Sequence, residues 1–291
     1  MEDEPYDATD PAKVDEAAGV IGRGAVSLLA MLALLTTGGA SRAHDAPQLE
    51  IVRFPSTALG RIPAGPELSG RIYRPQGDGP FPAIIFAHSC AGFTASVNRW
   101  GWLLASWGYL AIASDSFGPR GKSSVCGIHG IVTPDMRVAD VAGALDYLRT
   151  RQDVAQARIG LMGLSHGGST TIRALQAGHD LKKRGLRGGV AYYPGCSAKR
   201  DRDIGLPLLV LIGDKDNWTK ADWCRELQAS DLKQRALVEF VYYPDAHHSF
   251  DGRTNRTITA GGKEYRIEYD PVAASDAEQR TKEFFDRLLL K

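Results

Sequence analysis

The strongest constraint on this chain is a repeated alternation between short, continuously apolar runs and longer segments of helical period. Ala83–Ala87 reads AIIFA, and Tyr109–Ser114 reads YLAIAS. Arg158–Gly163, Gly188–Tyr193, Pro207–Ile212 and Leu237–Tyr243 follow the same form. Runs this short and unbroken suit strands covered on both faces. Between them, Val97–Trp107, Met136–Arg149, Ser165–Ala177 and Ala221–Leu232 carry apolar residues at helical spacing, and a last helix is expected over Ala274–Leu290. The alternation predicts an α/β fold: a mostly parallel eight-stranded sheet with helices on both faces. Leu49–Phe54 and Leu68–Arg74 have no helix between them, which predicts an antiparallel hairpin at one edge. Catalytic groups in such sheets gather where strands end.

The first 43 residues do not fit this pattern. Residues 1–16 are polar and acidic; then come Arg23, an apolar run from Ala25 to Leu35 broken only by Ser27, and small residues up to Ala43. A positive residue, a short apolar core and a small-residue exit describe a secretory signal. The run is shorter than the roughly 20 residues a membrane helix needs. Cleavage is expected after Ala43, with Ala40 as the alternative, and the acidic lead suggests a true start nearer Arg23. The remainder, about 245 residues, suits one large domain. The expected destination is the periplasm or the exterior, with a cytoplasmic location as the alternative.

The sequence has 35 basic and 34 acidic residues. That balance offers no long-range attraction for nucleic acid or an anionic membrane. No Cys-x-x-Cys occurs, so no zinc site is expected.

The strand Arg158–Gly163 runs into Gly163-Leu164-Ser165-His166-Gly167-Gly168. This is a Gly-x-Ser-x-Gly turn between a strand and a helix, which lifts the serine above the sheet edge. The helix that follows aims its N-terminus at the site, where negative charge develops. A serine hydroxyl needs a base, and the base an orienting acid. Both follow in the order Ser, Asp, His at strand ends: Gly213-Asp214-Lys215-Asp216, then Pro244-Asp245-Ala246-His247-His248-Ser249-Phe250.

With AIIFAHSCAGF, GLSHGG, YYPGC, LIGDKDNWT and YYPDAHHSF, the chain from about Pro80 to Leu290 resembles the dienelactone hydrolase family, in a branch with a serine nucleophile. The resemblance implies a carboxylic ester or lactone hydrolase with Ser165 as nucleophile. It selects Asp216 over Asp214 as the acid and His248 over His247 as the base. It implies an oxyanion hole from the amides of His166 and Cys90, the latter in the loop His88-Ser89-Cys90-Ala91-Gly92. One such donor contributes roughly 3–4 kcal/mol to the transition state. His88 is expected to brace that loop.

Founding members have a cysteine nucleophile and a glutamate near the position of Ser89, so dienelactone itself is not the expected substrate. Arg120 resembles an arginine that binds the substrate carboxylate; the alternative is a salt bridge that pins its loop. Four cysteines allow three pairings. Cys90 and Cys126 follow strands expected to be neighbours, as do Cys196 and Cys224, so Cys90–Cys126 and Cys196–Cys224 are the expected bonds. No metal or organic cofactor is implied. The rival functions are a peptidase or amidase of the same fold, and an inactive binding protein on this scaffold. Loops 116–134 and 251–272 are expected to shape the pocket.

Overall fold

The computed structural model describes residues 47–128 and 130–291; the expected signal segment therefore lies outside the described residues. The main sheet has eight strands: β1 (Gln48–Pro55), β2 (Glu67–Arg74), β3 (Phe81–Ala87), β4 (Leu110–Asp115), β5 (Val154–Leu164), β6 (Leu186–Tyr192), β7 (Leu208–Gly213) and β8 (Val238–Tyr243). Their spatial order is β1-β2-β4-β3-β5-β6-β7-β8. β1 and β2 form the expected antiparallel hairpin, and β2 also runs antiparallel to β4. Every neighbouring pair from β4 to β8 is parallel. The central strands are apolar on both faces because both faces are covered; β3 is buried from Pro82 to Ala87.

Among the described residues, five α-helices complete the layers: α1 (Ala95–Ser106), α2 (Pro134–Thr150), α3 (His166–Ala174), α4 (Ala221–Ala229) and α5 (Pro271–Leu289). An Arg99–Glu278 ion pair at 2.7 Å ties α1 to α5, while α2 packs on α3. Thr133 starts α2 by accepting from the Met136 amide, and Pro134 fills the first helical position, where no amide is needed. Asp270 caps α5 through the amides of Val272 and Ala273. Trp100, Tyr109, Phe86 and Phe285 are fully buried, each contributing about 1.5–3 kcal/mol of burial free energy or more.

The strand order decides where the site sits. The chain leaves β3 toward β4 on one side, and leaves β5 toward β6 on the other. Between β3 and β5 the connections diverge, and a crevice opens beyond the strand ends. The loop carrying Cys90 follows β3, and Ser165 follows β5.

Residues 251–272, expected as loop, contain regular structure. β9 (Arg256–Ala260) and β10 (Lys263–Ile267) form a second, two-stranded antiparallel sheet. Gly261 and Gly262 both have positive φ, +58° and +73°, as a two-residue hairpin turn of the right twist requires.

Candidate active site

Ser165 has φ 52° and ψ −111°, between the end of β5 and the start of α3. A non-glycine residue there is strained, and the packing around it holds the conformation. Gly163 and Gly167 make it possible. A Cβ on Gly163 would collide with the Gly167 carbonyl, and one on Gly167 with the Ala87 carbonyl of β3. The Ser165 amide donates to the Tyr192 carbonyl at 2.9 Å, fixing the turn to β6.

The Ser165 Oγ lies 3.0 Å from His248 Nε2. The other ring nitrogen, Nδ1, lies 2.7 Å from Asp216 Oδ2. All three residues are buried. These contacts span 83 and 32 residues of chain, so the sheet alone brings them together. Asp216 is held on its own loop: its Oδ1 accepts from the amides of Trp218 at 2.8 Å and Thr219 at 2.9 Å. The alternatives lie beside other side chains. Asp214 pairs with Arg225 at 2.6 Å, and His247 Nε2 is 4.0 Å from Glu268.

The ring of His248 is packed by Tyr193 at 4.8 Å and Trp218 at 5.1 Å between centroids. Tyr193 itself has a positive φ of 35°. Its hydroxyl donates to Asp251 at 2.6 Å, and Asp251 also accepts from Trp100 Nε1 at 2.8 Å and pairs with Arg99. Asp251 lies three residues beyond His248, so this buried network anchors the loop that carries His248 to α1. The sequence does not signal this network: Tyr193 lies in the YYPGC segment, but nothing there points to Asp251, 58 residues on.

Around the expected oxyanion hole, the amides of His166 and Cys90 donate to no protein acceptor among the described residues. His88 braces the loop as expected: its Nδ1 bonds the Ser89 carbonyl at 2.8 Å, and its Nε2 accepts from the Ser116 amide at 3.1 Å. Burial, with Arg137 nearby, drives its pKa well below the usual value, so the ring is neutral. His166 is held the same way. Its Nδ1 accepts from Arg137 at 2.9 Å, its Nε2 donates to the Val132 carbonyl at 3.0 Å, and burial lowers its pKa to about 3.

Arg120 makes a two-pronged bond to Asp140, at 2.8 and 2.9 Å, and donates to the Ser116 carbonyl at 2.7 Å. The guanidinium pins its own loop to α2, as the alternative reading of Arg120 expects. Both expected disulfides form. Cys90–Cys126 ties the loop after β3 to the loop after β4, and Cys196–Cys224 ties the loop after β6 to α4.

The hairpin β9–β10 packs against the loops that carry Asp216 and His248. His248 bridges to Ile267, and the Glu268 amide donates to the His248 carbonyl. Tyr265 stacks on Trp218 at 4.5 Å. The Asn217 side chain clasps β10, accepting from the Arg266 amide at 3.0 Å and donating to the Glu264 carbonyl at 3.2 Å. At the far end, a Cβ on Gly127 would overlap Ala260 and Gly261. Among the described residues, no cluster of side chains has metal-ligand geometry.

Residues 68–289 match the model of the dienelactone hydrolase family. The chain belongs to the dienelactone hydrolase family. The match covers the whole site, from β2 to the end of α5. A Yersinia pestis protein assigned as a carboxymethylenebutenolidase is 25% identical over 265 residues, covering 84% of this chain and 93% of the relative. A bis(hydroxyethyl) terephthalate hydrolase from Streptomyces coelicolor is 28% identical over 256 residues, covering 80% of this chain and 76% of the relative. A Thermobifida alba cutinase is 26% identical over 195 residues, covering 65% and 60%. Among solved structures, a Klebsiella pneumoniae protein assigned as a dienelactone hydrolase superposes with a TM-score of 0.62 at 20% identity, over 82% of this chain and 99% of that one. A Pyrococcus horikoshii acylaminoacyl peptidase gives 0.60 at 20% identity, over 86% and 43%. These two likenesses establish the fold alone.

Proposed function

We propose that this member of the family is a carboxylic ester hydrolase of the dienelactone hydrolase type, acting on esters or lactones through a Ser165–His248–Asp216 triad and an acyl-enzyme. The observation that carries the reading is the continuous path of two short contacts, 3.0 and 2.7 Å, from the Ser165 hydroxyl through His248 to Asp216. His248 Nε2 takes the Ser165 proton as Oγ attacks the carbonyl carbon. Asp216 keeps the second ring proton on Nδ1 and stabilises the imidazolium. The carbonyl oxygen, now negative, is received by the free amides of Cys90 and His166. His248 then protonates the leaving alkoxide, and the same base activates the water that releases the acid.

The names borne by the relatives, a butenolide lactonase, a cutinase and a terephthalate-ester hydrolase, all describe cleavage of carboxylic esters. They support an ester or lactone over an amide. The pinned Arg120 argues against a substrate recognised there by a free carboxylate. We also propose export of residues 44–291 as one domain after removal of the N-terminal segment. Two disulfides among the described residues favour an oxidising compartment, and no described helix is long and apolar enough to cross a membrane.

Fluorophosphonate labelling, run beside a panel of p-nitrophenyl esters and peptide anilides, tests the reading. The wild type should label and cleave esters, and Ser165→Ala should do neither. Preference for the anilides would install the peptidase instead, and an unlabelled wild type the binding protein.

A further inference from the structure

Arg137 is 1% exposed, on the first turn of α2 beneath the site. Its Nη1 donates to two acceptors, the His88 carbonyl and His166 Nδ1, both at 2.9 Å. The acceptors belong to separate segments. His88 opens the loop after β3, two residues before Cys90, and His166 opens α3 directly after Ser165. Each segment supplies one of the amides assigned to the oxyanion hole. We infer that Arg137 is a positioning residue for catalysis: one buried nitrogen, clasping both segments, sets the spacing of the Cys90 and His166 amides before substrate arrives. This rests on the proposed oxyanion hole and deepens it.

The chemistry of the residues fits the role. An sp² nitrogen directs its two N–H bonds in one plane at a fixed angle, so two acceptors held by it keep a fixed separation; a lysine ammonium on a flexible stem imposes no such angle. The acceptor on His166 is available at working pH, because burial and the facing cation hold that imidazole neutral. Burial also lowers the Arg137 pKa, to about 10, which leaves it charged near neutrality. Phe117 packs over the guanidinium at 5.1 Å, and its ring meets those of His88 and His166 edge-on. Charge-assisted hydrogen bonds are the stronger kind. Their geometry matters because oxyanion donors accelerate the reaction only when already aimed at the place where charge appears.

The test uses the full chain with Arg137→Lys and Arg137→Gln, counting competent sites by fluorophosphonate titration. Per titrated site, kcat for p-nitrophenyl acetate should fall about 10- to 100-fold, with KM changed by less than about threefold. Affinity for a phenylboronic acid, which forms a tetrahedral adduct on the serine, should fall in parallel with kcat/KM. The pH midpoint of kcat/KM should stay at the wild-type value, since the partners of His248 are untouched. A role confined to stability would lower the unfolding temperature and leave kcat per site intact, and that result overturns the inference.

If both Arg137 variants fail to fold, His166→Leu and His166→Asn carry the test. Both keep the backbone amide; only Asn restores an acceptor near the position of Nδ1. Leu should lose activity and Asn recover most of it, whereas wild-type kcat in Leu overturns the inference. Ser165→Ala is assayed alongside. If it remains active, the hydrolase reading falls and this inference with it. If it is dead while the Arg137 variants keep full kcat, only the inference falls.

Discussion

The Thr219 hydroxyl lies 3.0 Å from Asp216 Oδ2, the same oxygen that faces His248, while the Thr219 amide donates to Asp216 Oδ1 at 2.9 Å. The hydroxyl is also 3.1 Å from His248 Nδ1 and 2.9 Å from the Tyr193 carbonyl. One side chain thus touches Asp216, His248 and Tyr193, the strained residue that packs the His248 ring. Thr219→Val keeps the shape and removes the hydroxyl. A hydrogen bond to a charged group is worth about 1.5 kcal/mol or more, so kcat should drop about tenfold with little change in KM. Steady-state kinetics check this, and an unaltered kcat would show the hydroxyl to be a bystander.

Acid should destabilise this fold through its buried imidazoles. His166 is held at about 3, chiefly by burial and then by Arg137, against about 6.5 when unfolded. Between those values the unfolded chain binds more protons than the folded one. The stability from His166 is therefore fully present above about pH 6.5 and is lost as pH falls toward 3. His88 acts in the same direction. Unfolding temperature should decline from pH 7 to pH 4, and His166→Asn should flatten the decline. A variant with the wild-type slope would assign the acid sensitivity to other groups.

The two disulfides should separate stability from activity. They close loops with sequence separations of 36 and 28 residues, each worth about 3–4 kcal/mol in the chain-entropy model, or roughly 10 °C in unfolding temperature for a domain this size. Replacing either pair with alanine should cost a similar number of degrees. Only loss of Cys90–Cys126 should also lower kcat strongly, because Cys90 sits in the expected oxyanion loop. Equal kcat losses from both pairs would refute that division.

A small cavity of about 10 Å³ lies under the loop after β3, lined by residues that include Ser114, Arg137 and Thr170. Ser114 Oγ and Arg137 Nε are buried with no protein partner among the described residues. That volume and those two polar atoms match one water molecule. A crystal structure at high resolution should show a single ordered water within hydrogen-bond reach of both, and Ser114→Ala should raise its displacement parameter. A dry cavity would leave both atoms unexplained.

Much of this architecture is legible in the order of the residues alone. The central strands stand out because a chain segment buried on both faces has no polar positions to place. Ser165 stands out because its Gly-x-Ser-x-Gly turn follows such a run; strand ends narrow the acid to Asp214 or Asp216 and the base to His247 or His248, and the family resemblance selects Asp216 and His248. The hairpin β9–β10 is harder to see in a stretch expected as loop, although Thr257 to Ile267 alternates around Gly261-Gly262, the pattern of a two-residue turn. Arg137 is illegible in principle. A charged residue on a helix reads as its solvated face, and only the arrival of His88, 49 residues upstream, makes the position an interior one. Asp251 belongs to the same class, since its partners Arg99, Trp100 and Tyr193 come from distant segments.

Asn217 adjoins Asp216 in sequence and bonds the edge of β10 with its side-chain amide. The hairpin β9–β10 and the loop that carries Asp216 are therefore joined through this one side chain. Reshaping the hairpin should therefore disturb the Asp216 loop as well, and variant libraries in 256–267 should be scored for turnover as well as for substrate preference.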